Sequence, residues 1–505
     1  MKRSKKEPKE NYPIGYKLRE IEAESKFSQE LSLPMIENIV PQATIAAVLA
    51  AEGRFTERER KLNLLVTVLL VIMMNLYTTD SIGAVLEKMA QGLRYIWPDP
   101  DYQVPNASAV SYRRDQVGAR PVVALFHQVC QPLAEPDTPG AFLFGLRLMA
   151  IDGTTEDIPD TPANVAAFGR HDSDRGPSAF PQVKGVYLVE CGTHAIVDAG
   201  FWPVKTSERV GGFRMLRSVT AGMLLMWDRG FHDYDMFVQA RQRGAHVLAR
   251  LPGHVKPTLV RSLADGSYLA YLQPSDYQRR KKGERLLVRV IEYTITDPNL
   301  PGWGEPHRLV TTLLDPEAYP ILELICAYHQ RWEIEITIDE IDTHQRLLPG
   351  PLRSRKPVGV IQELYGLLIA HYIIRTCMYQ AAQQAQLDPD RLSFIGAVRV
   401  LQKAVPEFQM TDPEQLPALY QRLLRDIARK RLPPRRLRSN PRVVKRKMSN
   451  FKLKRPEHQL WPQPTVRSFR QAIEVKPCSV MNIPTTLCLL YQPMSTREMV
   501  LNRKV

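Results

Sequence analysis

Cysteine is scarce and never paired. There are six, at 130, 191, 326, 377, 478 and 488, with no CxxC among them. That excludes structural zinc held by cysteine pairs and offers no disulfide framework, so a reducing, cytoplasmic setting is expected. Long apolar runs are lacking too. The longest, Leu62 to Tyr77, is broken by Asn63, Thr67 and Asn75. It is too short for a bilayer, so it reads as a buried helix and no membrane partner is expected. The basic start Met1-Lys2-Arg3-Ser4-Lys5-Lys6 has no apolar signal core behind it. Internal repeats and histidine clusters are absent. Acid is missing where base is densest: between Arg429 and Arg455 the chain has thirteen Lys or Arg and no Asp or Glu.

That stretch carries nearly all of the chain's net charge of +15. A local excess of this size suits a polyanion, nucleic acid before an anionic membrane. With 505 residues, 44% of them apolar, there is material for several domains with real cores. Residues 1–27 read as a charged tail. Residues 28–134 are all helical, with helices expected at 33–52, 55–78, 80–91 and 108–130. Ala107 to Arg114 puts small polar and basic residues at a helix start, which suits DNA, though a solvated amphipathic helix is the favoured reading. Residues 142–251 change to an α/β pattern. Strands are expected at Leu146–Asp152, Val183–Glu190, His194–Ala199, Met223–Trp227 and Ala245–Leu251, with helices near 207–220 and 233–243. Residues 252–318 read as a mostly β insertion, with a basic hairpin tip at Arg279 to Gly283. Helices return over 319–345 and 357–384 within 319–390, and a smaller helical part spans 391–428. The basic segment 429–505 holds Pro433, Pro434 and Pro441 and is expected to be extended until bound.

Three carboxylates carry the chemistry. Asp152 ends the first apolar strand at Asp152-Gly153-Thr154, where glycine admits a close substrate backbone; a turn aspartate is the ordinary alternative. Asp228 ends Met223–Trp227 and precedes Arg229-Gly230; pairing with Arg229 or capping a helix is its alternative. On the third segment Tyr328, Arg331, Glu335, Asp339 and Asp342 fall at spacings of 3, 4, 4 and 3, one face of a helix. Periodicity leaves Glu335 and Asp339 equally placed as the third acid. An Arg331–Glu335 surface pair would be worth only about 0.2–0.5 kcal/mol. Acids from separate segments, in a basic chain, point to a site for divalent metal that cuts nucleic acid. Two Mg²⁺ or Mn²⁺ ions, about 3.5–4 Å apart, activate water and relieve charge on the leaving oxygen. Such hard cations need only carboxylate and water oxygen.

Cations complete the inventory. Arg353 and Lys356, with Arg355, stand at a helix start that can hold phosphate or form a solvated turn. Arg435, Arg436, Arg438, Arg442, Lys445, Arg446 and Lys447 give salt-sensitive, sequence-independent affinity for double-stranded DNA, against the alternative of a solubility tail. Trp303, in Pro301-Gly302-Trp303-Gly304, reads as a core tryptophan at a hairpin tip rather than a stacking surface.

Together these motifs resemble bacterial DDE transposases of the insertion-sequence-four family, over roughly residues 28–450. The family signature is a tyrosine, two residues, an arginine, three residues, a glutamate, six residues and a lysine. Tyr328, Arg331 and Glu335 match it, and Asp152-Gly153-Thr154 and Asp228-Arg229-Gly230-Phe231 match the two aspartate motifs. The resemblance selects Glu335 and implies an RNase H-like catalytic core interrupted by the β insertion. It also implies cut-and-paste movement of an insertion sequence, with terminal inverted repeats and target DNA as partners. Asp152, Asp228 and Glu335 are then the metal-binding catalytic set, and Tyr328 and Arg331 contact DNA near the cleaved end. A homodimer on DNA, in the cytoplasm at the nucleoid, follows by the same analogy. Asp342 stands where the signature has its lysine. An acid there repels phosphate, and Arg346, one turn on, is expected to substitute in part. The alternatives are a copy that binds DNA without chemistry, and a nuclease of RNase H type that cuts without joining.

Overall fold

The apolar run Met223–Trp227 forms a strand buried along its whole length, as a strand with parallel partners and both faces covered must be. It lies at the middle of an eleven-stranded mixed sheet in the computed structural model. The structure describes residues 17–22, 25–55, 62–99, 102–173, 176–347, 350–434, 437, 439, 443–444 and 452–477. The main strands are β1 (Leu146–Asp157), β2 (Gln182–Glu190), β3 (Ile196–Pro203), β4 (Met223–Trp227), β5 (His246–Arg250), β6 (Thr258–Ser262), β7 (Tyr268–Leu272), β8 (Leu286–Ile295) and β9 (His307–Thr311). They lie in the order β3-β2-β1-β4-β5-β9-β8-β7-β6. Strand β1 is antiparallel to β2 and parallel to β4, and β4 is parallel to β5. The fold is α/β.

The helices are α1 (Gln42–Ala51), α2 (Leu64–Met73), α3 (Ile82–Ile96), α4 (Ala107–Val117), α5 (Arg120–Val129), α6 (Glu208–Met215), α7 (Tyr234–Gln242), α8 (Ile321–Gln330), α9 (Trp332–Asp339), α10 (Pro357–Gln384), α11 (Phe394–Met410) and α12 (Leu416–Ala428). Asn63, Ser81 and Asn106 cap α2, α3 and α4, each accepting a backbone N–H three residues on. Helix α10 is the spine between the N-terminal helices and the sheet. It is long and apolar enough to cross a membrane, but 78% of its most apolar window is buried inside the protein. At Gly366 a Cβ would lie 2.6 Å from the Val71 carbonyl oxygen, so glycine there lets α10 and α2 touch backbone to backbone. Asn75 donates to Val71 and Glu363 carbonyls across the same seam.

Several expectations need correction. The 108–130 helix is two, broken at Gly118 in the left-handed region (φ 70°). Its start does present a solvated face, with Ser108, Ser111 and Tyr112 exposed, but Arg114 is buried, and its guanidinium donates to Gln362 (3.1 Å), Ser354 (2.9 Å) and the Gly359 carbonyl (3.0 Å). Residues 279–283 do lie in the tip of the hairpin between the antiparallel strands β7 and β8, and the tip holds a short helix, Tyr277–Lys281, capped by Asp276. Trp303 is 58% exposed, not core. The β-rich segment 252–318 does not stand apart: β9 pairs with β5, so β6–β9 extend the core sheet. Beyond the basic stretch, Ile473–Val475 adds an edge strand to β8.

Candidate active site

Two aspartates meet because of strand register. Ile151 of β1 pairs with Trp227 of the parallel β4, so Asp152 lies beside Asp228, the residue after the last of β4; the first strand does not end at Asp152 as expected but stays paired with β2 as far as Asp157. The carboxyl end of β4 is where open α/β sheets place their ligands. Each is oriented by the backbone just after it. The Gly153 N–H donates to Asp152 Oδ1 and the Gly230 N–H to Asp228 Oδ1, both at 2.8 Å.

The third acid arrives on α9. Helices α8 and α9 join at Arg331, whose guanidinium reaches two carboxylates. Nη1 lies 3.1 Å from Asp152 Oδ2 and Nη2 lies 3.3 Å from Glu335 Oε1. One cation thus ties the middle of β1 to the first turn of α9. Tyr328 is buried beneath it, its hydroxyl 3.5 Å from the Trp227 carbonyl and its ring 5.8 Å from the guanidinium. Asp339 turns outward to His344, 3.4 Å away, so geometry separates the two acids that periodicity left equal.

Electrostatics reflects the crowding. Burial, and then the Asp228 and Glu335 charges, push the Asp152 carboxyl up to about 6 against the pull of the Gly153 N–H and Arg331. Carboxylates that repel one another in a half-buried pocket are the donor set that a hard divalent cation satisfies. The residues fit such an ion.

Past Glu335 the helix becomes a π-turn, Glu340–Gln345, a distortion common at functional sites. There Asp342 Oδ2 lies 3.4 Å from the Thr154 hydroxyl and its carboxyl meets Glu156 of β1. Burial and then the Asp342 contact push the Glu156 carboxyl well above the carboxylate range. Arg346 is engaged within the protein: it pairs with Glu156 and donates to the Gly350 carbonyl. Arg353 is likewise internal. It donates to Glu363 (3.1 Å) and to the carbonyls of Met74 (2.6 Å) and Asp80 (3.3 Å). Lys356 is exposed and pairs with Asp115 at 2.6 Å. Arg435, Arg436, Arg438, Arg442, Lys445, Arg446 and Lys447 lie outside the described residues.

Sequence reasoning missed two acidic groups. Glu208, the first residue of α6, sits over the glycines that follow both aspartates; its sequence neighbourhood carries no signal. Behind α9, Glu340 is fully buried against Arg375, His371 and His194. Burial opposes its charge, yet Arg375 and then His194 hold it well below the carboxylate range. His194, Glu333 and Asp390 there bring ligand atoms within 4.8 Å of one another. The Arg375 guanidinium lies against His194 Nδ1 and His194 Nε2 lies 3.3 Å from Asp390 Oδ1; against burial and Arg375, the Asp390 and Glu340 carboxylates push the imidazole up to about 9. A ring held in its charged form is a clasp rather than a metal ligand.

Comparison with known proteins shows the family. Residues 30–127 match the family model for the insertion element 4 transposase N-terminal region, and residues 143–373 that for the transposase DDE domain. The chain is 30% identical over 411 residues to the Escherichia coli (strain K12) transposase InsG for insertion sequence element IS4, covering 79% of this chain and 89% of that one. It is 31% identical over 146 residues to the putative transposase InsZ of the same organism, covering 29% of this chain and 49% of that one. Among solved structures, the piggyBac transposase synaptic complex with hairpin DNA aligns at 12% identity and a TM-score of 0.38, over 79% of this chain and 84% of that one; a likeness that weak carries no functional weight. The two family matches and the 79% coverage by InsG establish that the chain belongs to the DDE transposases of the insertion-sequence-four family and is a DNA transposase enzyme.

Proposed function

We propose that Asp152, Asp228 and Glu335 are the catalytic acids and that they hold two Mg²⁺ or Mn²⁺ ions. DDE transposases use divalent metal ions; bound here, they supply an activated water and charge relief on the leaving oxygen. The carrying observation is Arg331, which draws Asp152 and Glu335 to one guanidinium while strand register sets Asp228 beside them. The strand order β3-β2-β1-β4-β5, with β4 and β5 parallel to β1, supports an RNase H-like core with β6–β9 as its insertion. The substrate is double-stranded DNA carrying the element's terminal inverted repeats, gripped by the helical region 28–134 and the basic segment 429–505. With metal held by the acids, Arg331 would be available to meet a DNA phosphate near the cleaved end. Cleavage leaves a 3′-hydroxyl, which attacks target DNA in line, with no covalent protein intermediate. Two ends call for a homodimer on DNA.

The test is a cleavage and strand-transfer assay on inverted-repeat DNA with Mg²⁺ or Mn²⁺. Asp228→Asn and Glu335→Gln are expected to lose about 10³-fold or more, about 4 kcal/mol of transition-state stabilisation. Variants that cut as well as the parent overturn the assignment. Pre-cut ends that never join target plasmid favour a nuclease. Asp342 motivates a second reading, DNA binding without chemistry, whose signature is inverted-repeat binding with no cleavage in either metal.

A further inference from the structure

We infer that Glu208 is a fourth carboxylate of the metal site, reaching the ions from the Asp228 side; the inference rests on the acid assignment above. Two glycine positions locate it. A Cβ built on Gly230 would lie 3.1 Å from Asp228 Oδ1 and 3.5 Å from Glu208 Oε2. Both oxygens therefore border the same small space. A Cβ on Gly153 would lie 3.8 Å from Glu208 Cγ. The Glu208 side chain passes over the residue after Asp152 and ends beside Asp228.

The helix that carries it is drawn there by two small residues. Helix α6 contains Gly211 and Gly212, each a loss of about 1 kcal/mol of helix propensity relative to alanine. Packing explains both. A Cβ at Gly211 would meet Val186 Cγ2 at 2.4 Å, and one at Gly212 would meet Phe231 Cδ1 at 2.8 Å and Met236 Cε at 3.0 Å. The glycines let α6 press onto β2 and onto the turn that follows Asp228, which brings its first residue to the site. The neighbouring cation does not serve Glu208, because Arg209 pairs with Asp233 at 3.5 Å. No hydrogen bond or ion pair engages Glu208 among the described residues, and its side chain is open to solvent and substrate.

The chemistry asks for such a group. Each hard cation takes about six oxygen ligands, and three carboxylates shared between two ions leave most positions to water. A fourth carboxylate beside Asp228 strengthens the hold on the ion at that end. The ordinary alternative is an acid favoured by the N-terminal dipole of α6, worth only about 0.3–1 kcal/mol and indifferent to metal.

Direct Mn²⁺ binding separates the two. Free Mn²⁺ is measured by electron paramagnetic resonance during titration of the full chain without DNA, for the parent, Glu208→Gln, Glu208→Asp and Asp228→Asn. Glu208→Gln is expected to weaken at least one Mn²⁺ by about tenfold or more, the scale seen when even an indirect partner of a metal site is lost. Its thermal unfolding without metal and its affinity for inverted-repeat DNA in chelator should match the parent's. Glu208→Asp, with the charge kept and the arm shortened, should fall between. If Glu208→Gln binds Mn²⁺ like the parent while Asp228→Asn does not, Glu208 is no ligand and the three-acid site stands. If neither variant alters Mn²⁺ binding, both assignments fall.

Discussion

Replacing Asp152 by asparagine should stabilise the metal-free protein. The Asp152 side chain is 21% exposed, and its carboxyl titrates near 6 folded against a usual 3.8. Above pH 6 the folded state therefore holds a charge that the unfolded state holds more cheaply, a destabilisation of about 3 kcal/mol. Asparagine keeps one oxygen for the Gly153 N–H, which donates to Oδ1, and removes the charge along with the Oδ2 contact to Arg331, which offsets part of the gain. The sign follows from linkage. Between pH 6 and 3.8 the folded parent binds more protons than the unfolded chain, so the parent gains stability as pH falls. The advantage of Asp152→Asn should be full above pH 6, shrink on acidification through that value, and vanish below about 3.8. Urea unfolding in chelator, at pH 8, 7, 6 and 5, measures it. With saturating Mg²⁺ the order should reverse, because metal stabilises only the chain that binds it. If Asp152→Asn in chelator at pH 8 is no more stable than the parent, the carboxylates do not crowd one another and the electrostatic account of the site is wrong.

Three further outcomes follow from the cations and the second acid pair. Arg353→Met should lower stability by about 3–5 kcal/mol, the cost of breaking a buried pair, and leave the salt dependence of DNA binding intact; a changed salt slope with unchanged stability would place Arg353 on DNA after all. Neutralising Arg435, Arg436 and Arg438 should flatten the plot of log affinity against log salt by about 0.9 for each phosphate the protein no longer neutralises, whereas an unaltered slope removes that segment from the interface. Because the Glu156 carboxyl is raised by burial and by Asp342, the folded chain keeps that proton after the unfolded chain has released it, so the parent should lose stability as pH rises above the ordinary glutamate value of about 4.5 until the folded carboxyl ionises. Glu156→Gln should abolish the loss, and superimposed pH profiles would show that the pair shares no proton.

The aspartates stood out because each ends an apolar run, although only Asp228 follows a strand end, since the strand that carries Asp152 runs on through polar residues to Asp157. Glu335 was legible through its signature. Its distinction from Asp339 was not, because a regular 100° step presumes one straight helix, and this one breaks at Arg331 and slips into a π-turn at Glu340. The cations misled for a different reason. A run such as Arg353 to Lys356 looks solvated in sequence, yet Arg353 is claimed by carbonyls of Met74 and Asp80, more than 270 positions away. Arg346 is claimed by Glu156, 190 positions away. Sequence periodicity reports which face a residue shares; it does not report what packs on that face. The strands β6–β9 show the same limit, since alternation marked the strands but not the partner that joins them to β5.

The acids of the third segment make most sense as two stripes. Glu335 and Asp342, seven residues apart, both face β1, where Asp152, Thr154 and Glu156 follow one another on one face of the strand. Glu333 and Glu340, also seven apart, face away. Glu333 accepts from the Gly192 N–H at 2.7 Å and Glu340 engages Arg375 and His371. Seven helical residues rise about 10 Å and four strand residues about 13 Å, so helix and strand run side by side with matched acidic steps. The outer stripe is anchored to a buried clasp, which fixes the helix in rotation as well as in depth. A carboxylate that must meet two others at one ion needs that constraint, because a turn of α9 by a single residue would carry Glu335 about 100° away from Asp152.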